Sequence, residues 1–423
     1  MMAHRTAASV MIVLSAATGG CAGQSANANR SKETTFVAQG NNGFAIGLYR
    51  QLQTDEGNLF FSPYSISAAL AMTYAGAKGR TQEQMAQALY YPTSAEALQK
   101  LGLAREPLTQ EQFAEAFGRI IKDLNARGRG DKYELRVANA LWGQKGSEFL
   151  RAFTTLVEKQ YGGKLQELDF VAAAEKARRT INAWVEKQTN DKIKDLIGPG
   201  VLDAMTRLVL TNAIYFKGNW ASQFEEDQTQ DGPFTLLGGN KIQVPMMNQQ
   251  AEFGYAETDK LQVLEMPYVG EELSMVILLP KGADGIGPLG QDFTVENLTQ
   301  WLDKAHKREV IVTIPKFKMT SKFSMETVLR SMGMTDAFSG AADFSGMTGR
   351  RDLFISAVIH QAYVDVNEEG TEAAAATGVV MKLTSVMPER TPVFRADHPF
   401  LFLIRDKASG SILFVGRVMN PQP

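Results

Sequence analysis

Few residues in this chain have the types and spacing for covalent chemistry. Its four histidines, His4, His306, His360 and His398, stand far apart, and its one cysteine is Cys21. That supply excludes a multi-cysteine zinc site and a disulfide framework within one chain. No G-x-S-x-G, H-E-x-x-H, P-loop or calcium-loop pattern occurs. The carboxylates are scattered without a spacing that marks an acid–base pair, so they read as a solvated face. Arg129-Gly130-Asp131 spells an adhesion-ligand tripeptide, although a turn between a helix and a strand accounts for it. His360 is the most suggestive single group. Read with period two along Phe354–Val366, it shares a face with Val358, Ala362, Val364 and Val366. An imidazole on such a face is a hydrogen-bonded core group sooner than a base or ligand. The expectation is a protein that is not an enzyme, with no metal and no cofactor.

The elements that must hold these residues come from a chain of ordinary globular composition. Its 423 residues are 44% hydrophobic and 21% charged, enough for a large core. Forty-four basic residues against 46 acidic ones give a net charge of −2 and no bulk attraction to nucleic acid. The N-terminus carries Arg5, then an apolar run over Ala7–Ala17 far too short to span a bilayer. Thr18-Gly19-Gly20-Cys21 follows, the layout of a secretory signal. It resembles a bacterial lipoprotein signal, in which Cys21 is lipidated and becomes the new N-terminus; cleavage further along, for instance after Ala28, is the other reading. The expected organisation is a signal peptide over residues 1–21, a polar tether over 22–33 and a single domain over 34–423. The product is exported: extracellular, periplasmic or anchored to a membrane as a lipoprotein.

Helices come early. Ser62-Pro63 pairs an N-cap hydroxyl with proline at the first helical position, and Thr81 with Gln84 spells a capping box for the next helix. Further helical periodicity runs near 110–126, 149–160 and 171–189. Strands come late. Leu208–Phe216, Leu273–Leu279, Phe400–Ile404 and Ile412–Val415 are nearly continuous apolar runs, the mark of strands covered on both faces, and Arg405–Gly410 turns the last two into a hairpin. Helices gathered before strands point to an α+β class.

One segment departs from this pattern. More than thirty residues separate the strand ending at Val366 from the strand starting at Phe400, a connection that long being normally functional or disordered. Strand periodicity places Thr371, Ala373, Ala375, Thr377, Val379 and Met381 on one face, all small or apolar. Glu372 and Lys382 fall on the other. A short helix is the alternative, since Thr371 can cap and four alanines favour helix. Both readings hold if the loop lies outside a sheet in one state and inside it in another.

Here the sequence resembles the serpins, over roughly Thr35 to Pro421. Glu368-Glu-Gly-Thr-Glu-Ala-Ala-Ala-Ala-Thr377 is similar to the hinge of an inhibitory serpin. Asn58-Leu-Phe-Phe-Ser-Pro-Tyr-Ser-Ile-Ser67, Leu210-Thr-Asn-Ala-Ile-Tyr-Phe-Lys-Gly-Asn-Trp220, His398-Pro-Phe-Leu-Phe402 and Phe414-Val-Gly-Arg-Val418 match other signatures of that family, in order. The resemblance, together with the leader, points to a bacterial, inhibitory type. It implies three β-sheets, eight to nine helices and an exposed reactive-centre loop over 368–398.

What the resemblance implies for function is a suicide substrate. A protease cleaves the loop and forms an acyl-enzyme. The loop's N-terminal arm then inserts into the main sheet, carrying the tethered protease roughly 45 Å at ~3.3 Å per residue. The hinge is Glu368, Glu369, Gly370, Thr371, Glu372, Ala373, Ala374, Ala375, Ala376 and Thr377. Ser62, Asn182 and His360 match a cluster that gates sheet opening; Trp220, Lys316 and Glu368 match the point where insertion starts, with a salt bridge between the last two. Counting along the hinge puts the reactive bond at Thr384–Ser385, with Lys382, Leu383 and Met387 as alternative positions. A small β-branched residue there suits an elastase-like or subtilisin-like serine protease, and cysteine proteases are a second class of target. A monomer is expected, with a membrane tether if Cys21 is lipidated. The alternative is a non-inhibitory binding or carrier protein on the same fold.

Overall fold

The computed structural model describes residues 19–54, 57–92, 95–100, 107–127, 132–371 and 390–422. Six strands form the sheet that matters most here. Their order is β10 (Phe317–Ser324), β11 (Ile355–Val366), β12 (Gly370–Thr371), β4 (Leu208–Asn219), β2 (Tyr133–Gln144) and β3 (Lys164–Leu168). Below β12, β11 and β4 pair with each other directly and in parallel. Neither could do so across a tight turn, and more than a hundred residues of crossover connect them.

A second sheet of nine strands runs β1 (Leu59–Phe61), β15 (Ile412–Val418), β14 (Phe400–Asp406), β8 (Leu273–Pro280), β7 (Leu261–Pro267), β6 (Lys241–Glu257), β9 (His306–Pro315) and β13 (Val393–Arg395), with β5 (Gln230–Thr235) on β6. The three sheets expected join into two ladders among the described residues because β6 is 17 residues long. It pairs β5 at one end and β7 at the other, so two of the three share a strand. The hairpin expected between β14 and β15 is closed by the Asp406 N–H on the Ser411 carbonyl at 2.9 Å.

Eleven α-helices are described, three of them of six residues or fewer. They are α1 (Gly19–Leu52), α2 (Pro63–Tyr74), α3 (Gly79–Ala88), α4 (Ala95–Lys100), α5 (Gln110–Arg127), α6 (Arg151–Tyr161), α7 (Phe170–Gln188), α8 (Ile286–Asp292), α9 (Val295–Asp303), α10 (Glu326–Ser331) and α11 (Ser345–Thr348). Ser62 caps α2 as its hydroxyl accepts the Ser65 N–H at 3.1 Å, and every residue of that helix is buried. The capping box expected at Thr81 and Gln84 is not formed. Lys78 is the N-cap and its side chain makes no capping bond, while the Thr81 hydroxyl accepts Asp343 N–H at 2.9 Å and Gln84 Oε1 accepts Asp336 N–H at 2.8 Å. Tertiary donors have outcompeted the local ones.

Residues 22–33, read above as a polar tether, lie within α1. Among the described residues no helix is long and apolar enough to cross a membrane. The main core lies between the two sheets and around α2; a second layer lies between the six-stranded sheet and α7.

Candidate functional site

The parallel seam between β11 and β4 opens at its upper end. Beyond the rung Tyr363–Tyr215 the two strands part, and the chain leaving β11 turns back to fill the gap. Asn367 makes that turn. Its side-chain oxygen accepts the N–H groups of Glu369 and Gly370 at 3.2 and 3.3 Å, and its own N–H donates to the Gly370 carbonyl at 2.9 Å. Gly370 and Thr371 then pair antiparallel with Asn219 and Gly218, and Thr371 also with Val366. Glycine is required at 370, where a Cβ would stand 2.1 Å from the Gly218 carbonyl oxygen.

Thr371 is wholly buried, and its hydroxyl lies 2.9 Å from that of Tyr268. Tyr268 stacks on Trp220 with ring centroids 4.7 Å apart. Trp220 holds the turn from both its ends: the indole N–H donates to the Asn367 carbonyl at 3.0 Å and the backbone N–H to Glu369 at 2.8 Å. Lys316 Nζ lies 2.7 Å from a Glu368 carboxylate oxygen, and Thr229 donates to that carboxylate at 2.8 Å. Burial pushes the Glu368 carboxyl up, but Lys316, its own backbone N–H and Thr229 outweigh this and hold it below the usual carboxylate range. Trp220, Lys316 and Glu368 are therefore brought together around the first residues of the hinge. Glu372, Ala373, Ala374, Ala375, Ala376 and Thr377 lie outside the described residues, as do Lys382, Leu383, Thr384, Ser385 and Met387.

Lower in the seam, His360 and Asn212 face each other in register, and the imidazole Nδ1 bonds the Asn212 side-chain oxygen. Ser62 N–H donates to Nε2 at 3.1 Å. An accepting Nε2 makes Nδ1 the protonated nitrogen, so the ring is neutral, and burial lowers its pKa to about 3. The cluster is completed by Ser65 and Asn139. Asn212 Nδ2 donates to both, and Asn139 Nδ2 reaches the Ser65 carbonyl at 3.1 Å. The N-terminus of α2 thereby ties together three strands at the point where the sheet would have to part.

Asn182 is not in this cluster. It sits in α7 on the opposite face, where its side chain clamps Ile197 through an N–H donated at 2.9 Å and one accepted at 2.8 Å. Asn212 holds the place expected for it. The signal was present, since Asn212 is a carboxamide on the even-numbered face of Leu208–Phe216, in step with Leu210 and Ile214. Among the described residues no group of three His, Cys, Asp or Glu could hold a metal ion.

The far end of the loop is pinned to the other sheet. β13 pairs in parallel with β9 through Val393 and Ile311, and Ile311 N–H donates to the Pro392 carbonyl at 3.0 Å. The described strands on either side of residues 372–389, β12 and β13, thus belong to different sheets.

The chain matches the family model described as Serpin (serine protease inhibitor) over residues 39–421. It is 42% identical over 395 residues to the leukocyte elastase inhibitor of Bos taurus, covering 91% of this chain and 99% of that one. It is 41% identical over 391 residues to Serpin B6 of Pongo abelii, with the same coverage. Among solved structures, human thyroxine-binding globulin matches with a TM-score of 0.80 and 31% identity, covering 92% of this chain and 100% of that one. Uncleaved ovalbumin matches with a TM-score of 0.78 and 31% identity, covering 91% and 100%.

Proposed function

The chain belongs to the serpin family, and on that premise we propose that it traps its target by drawing its own cleaved loop into the six-stranded sheet. It is a serine protease inhibitor and not an enzyme, and its partner is a serine protease. The observation that carries the mechanism is the position of Thr371, already paired on both sides within the gap between β11 and β4.

Continued past Thr371 in the inserted state, that register would assign each loop residue its neighbours. Every step beyond Thr371 moves one residue back along both β11 and β4. Ala373 then lies between Val364 and Phe216, Ala375 between Ala362 and Ile214, and Thr377 between His360 and Asn212. On insertion these odd-numbered residues would face the main core, whereas Ala374, Ala376 and Gly378 would face the layer under α7, as their strand neighbours do. Thr371, Ala373 and Ala375 lead on the core face, and only alanines and Gly378 follow Glu372 on the other, so the strand meets little obstruction where the seam must first part. Lys382 would reach the level of Ile355, the lower end of the seam, about 36 Å beyond Thr371 at ~3.3 Å per residue.

That length supports Thr384–Ser385 as the reactive bond, two residues past the end of the filled seam. Cleavage at Lys382 would leave the attached protease inside the sheet, and Met387 would leave it on a longer leash. Insertion replaces one parallel ladder with two antiparallel ones, which are somewhat more stable per residue. Before cleavage the anchor at β13 prevents it. After cleavage the arm is free, and a catalytic triad dragged across the molecule loses the geometry that deacylation needs.

A small residue at the reactive bond favours elastase-like or subtilisin-like targets, with cysteine proteases as a second class. The bacterial type, export, lipidation of Cys21 and a monomeric state complete the proposal. The leader Arg5, Ala7–Ala17 and Thr18–Cys21 supports the first three. About 22 Å of helix between Cys21 and Phe36, at ~1.5 Å per residue, would hold the domain off a bilayer. Labelled palmitate incorporated by the parent protein and lost in Cys21→Ser tests the anchor. The carrier alternative has the likeness to thyroxine-binding globulin in its favour, but the uncharged, small hinge residues from Ala373 to Thr377 serve no purpose in it.

Mixing the intact protein with leukocyte elastase, a subtilisin, a chymotrypsin and a trypsin is the direct test. A covalent adduct that survives denaturing electrophoresis is expected with at least one of them. Clean cleavage by all four with no adduct would contradict inhibition.

A further inference from the structure

We infer that Lys192 is a positioning residue for the trapping reaction, a cationic clasp laid across the outer face of the seam that must release before the loop can insert. The inference rests on the insertion mechanism above and names a control on it.

Tyr215 and Tyr363 are partners in register at the uppermost rung where β4 and β11 pair directly. Both side chains lie on the outer face, both are nearly buried, and their ring centroids are 6.3 Å apart. The Lys192 ammonium stands 5.9 Å from each of the two centroids, so a single charge spans the seam. That distance is within the range where a cation is attracted to the face of an aromatic ring.

Lys192 is well placed to stay there. It follows α7 in a short loop whose neighbours are anchored: Thr189 and Ile193 are fully buried, and Asn190 donates to Glu134 of β2 at 3.1 Å. Asn190 and Asp191 both have left-handed backbones, with φ of 50° and 58°, which turn the loop back over the sheet. The second cation near this pair behaves differently. Lys318 lies 5.3 Å from the Tyr363 ring and 3.3 Å from Asp365, but it belongs to β10, on the Tyr363 side, and does not bridge the seam.

Insertion dissolves the clasp by geometry alone. In the register of β12, Ala374 passes between the two tyrosines, and an added strand widens their separation by ~4.8 Å. An ammonium held at its present height then lies about 7.5 Å from each ring, beyond the ~6 Å limit of the attraction. The contact therefore stabilises only the closed sheet and adds to the barrier for opening it. Spontaneous insertion, which would waste the inhibitor, is slowed.

The test uses the intact full chain and a synthetic peptide of residues 371–384, whose uptake into the seam is followed by native electrophoresis and by loss of inhibition. Lys192→Met keeps the length of the side chain and removes the charge. It should take up peptide roughly five- to thirty-fold faster, the combined worth of two exposed cation–ring contacts. Lys192→Arg, which retains a cation, should stay near the parent rate. Lys194→Met, an equal loss of charge on the same loop, should do the same. The thermal midpoint of the cleaved form should be unchanged in all three. Lys192→Met within twofold of the parent, or matched by Lys192→Arg or Lys194→Met, would overturn the clasp while leaving inhibition standing. A parent that takes up no peptide and forms no adduct with any protease would overturn the mechanism beneath it.

Discussion

The hydroxyls of Thr371 and Tyr268 lie 2.9 Å apart inside the gap at the top of the seam, with Thr371 wholly buried. The first inserting side chain is thus in place before any cleavage, and its pocket is lined by an aromatic stack of Tyr268 on Trp220. A gap of this shape admits a small hydroxyl and rejects a long cation.

Thr371→Arg should turn the inhibitor into a substrate. An unpaired guanidinium driven between β11 and β4 costs several kcal/mol, enough to let deacylation overtake insertion. The expected result is complete cleavage with the adduct band lost. An undiminished adduct would show that position 371 does not enter the sheet.

The ion pair between Lys316 and Glu368 should hold the hinge turn at neutral pH. The Glu368 pKa is lowered on folding, so its contribution is present above the unfolded carboxylate value near 4.5 and is lost as pH falls through the folded value. Lys316 is 40% exposed, so Lys316→Gln should cost about 1 kcal/mol or less. The fluorescence of the intact protein, with Trp220 against the turn, should shift on acidification below about pH 4.5. That shift should move to higher pH in Lys316→Gln.

His360 sets a second acid limit with a different window. Its folded pKa of about 3 lies below the ordinary value of 6.5, so the unfolded chain binds the proton more readily. Stability attributable to the neutral ring is full above pH 6.5 and falls by up to about 1.4 kcal/mol per pH unit as pH drops toward 3. Removing its partner with Asn212→Ala leaves a buried N–H unpaired, at about 1–3 kcal/mol. Thermal midpoints across pH 4 to 7 should show a steep dependence in the parent and a flatter one in His360→Gln.

Asn212→Ala and Asn182→Ala should separate cleanly. The first weakens the seam and should speed peptide uptake, whereas the second frees Ile197 on the α7 side and should lower thermal stability without that acceleration. Equal acceleration by both would restore Asn182 to the gate.

Much of this site is written in local sequence. Ser62-Pro63 announces α2 because a cap and a fixed proline φ act within one turn, and the period-two face of Thr371 to Met381 is a property of the segment itself. What is not legible is which side chains meet across long separations. Asn182 and Asn212 are both asparagines in apolar surroundings, and only the parallel register of β4 with β11 sets one of them against His360. Thr81 and Gln84 fail as a capping box for the same reason, their acceptors being claimed by Asp343 and Asp336. The clasp of Lys192 has no sequence signature, because it depends on where the loop after α7 folds back.

Heating tests the central claim most directly. Intact protein and protein nicked once within the loop by a non-target protease should be melted side by side, with mass spectrometry locating the nick. The nicked form is expected to unfold at a well higher temperature, because its freed arm has become a strand bonded on both edges. A nicked form that melts at or below the intact one would mean that the closed sheet holds nothing to release.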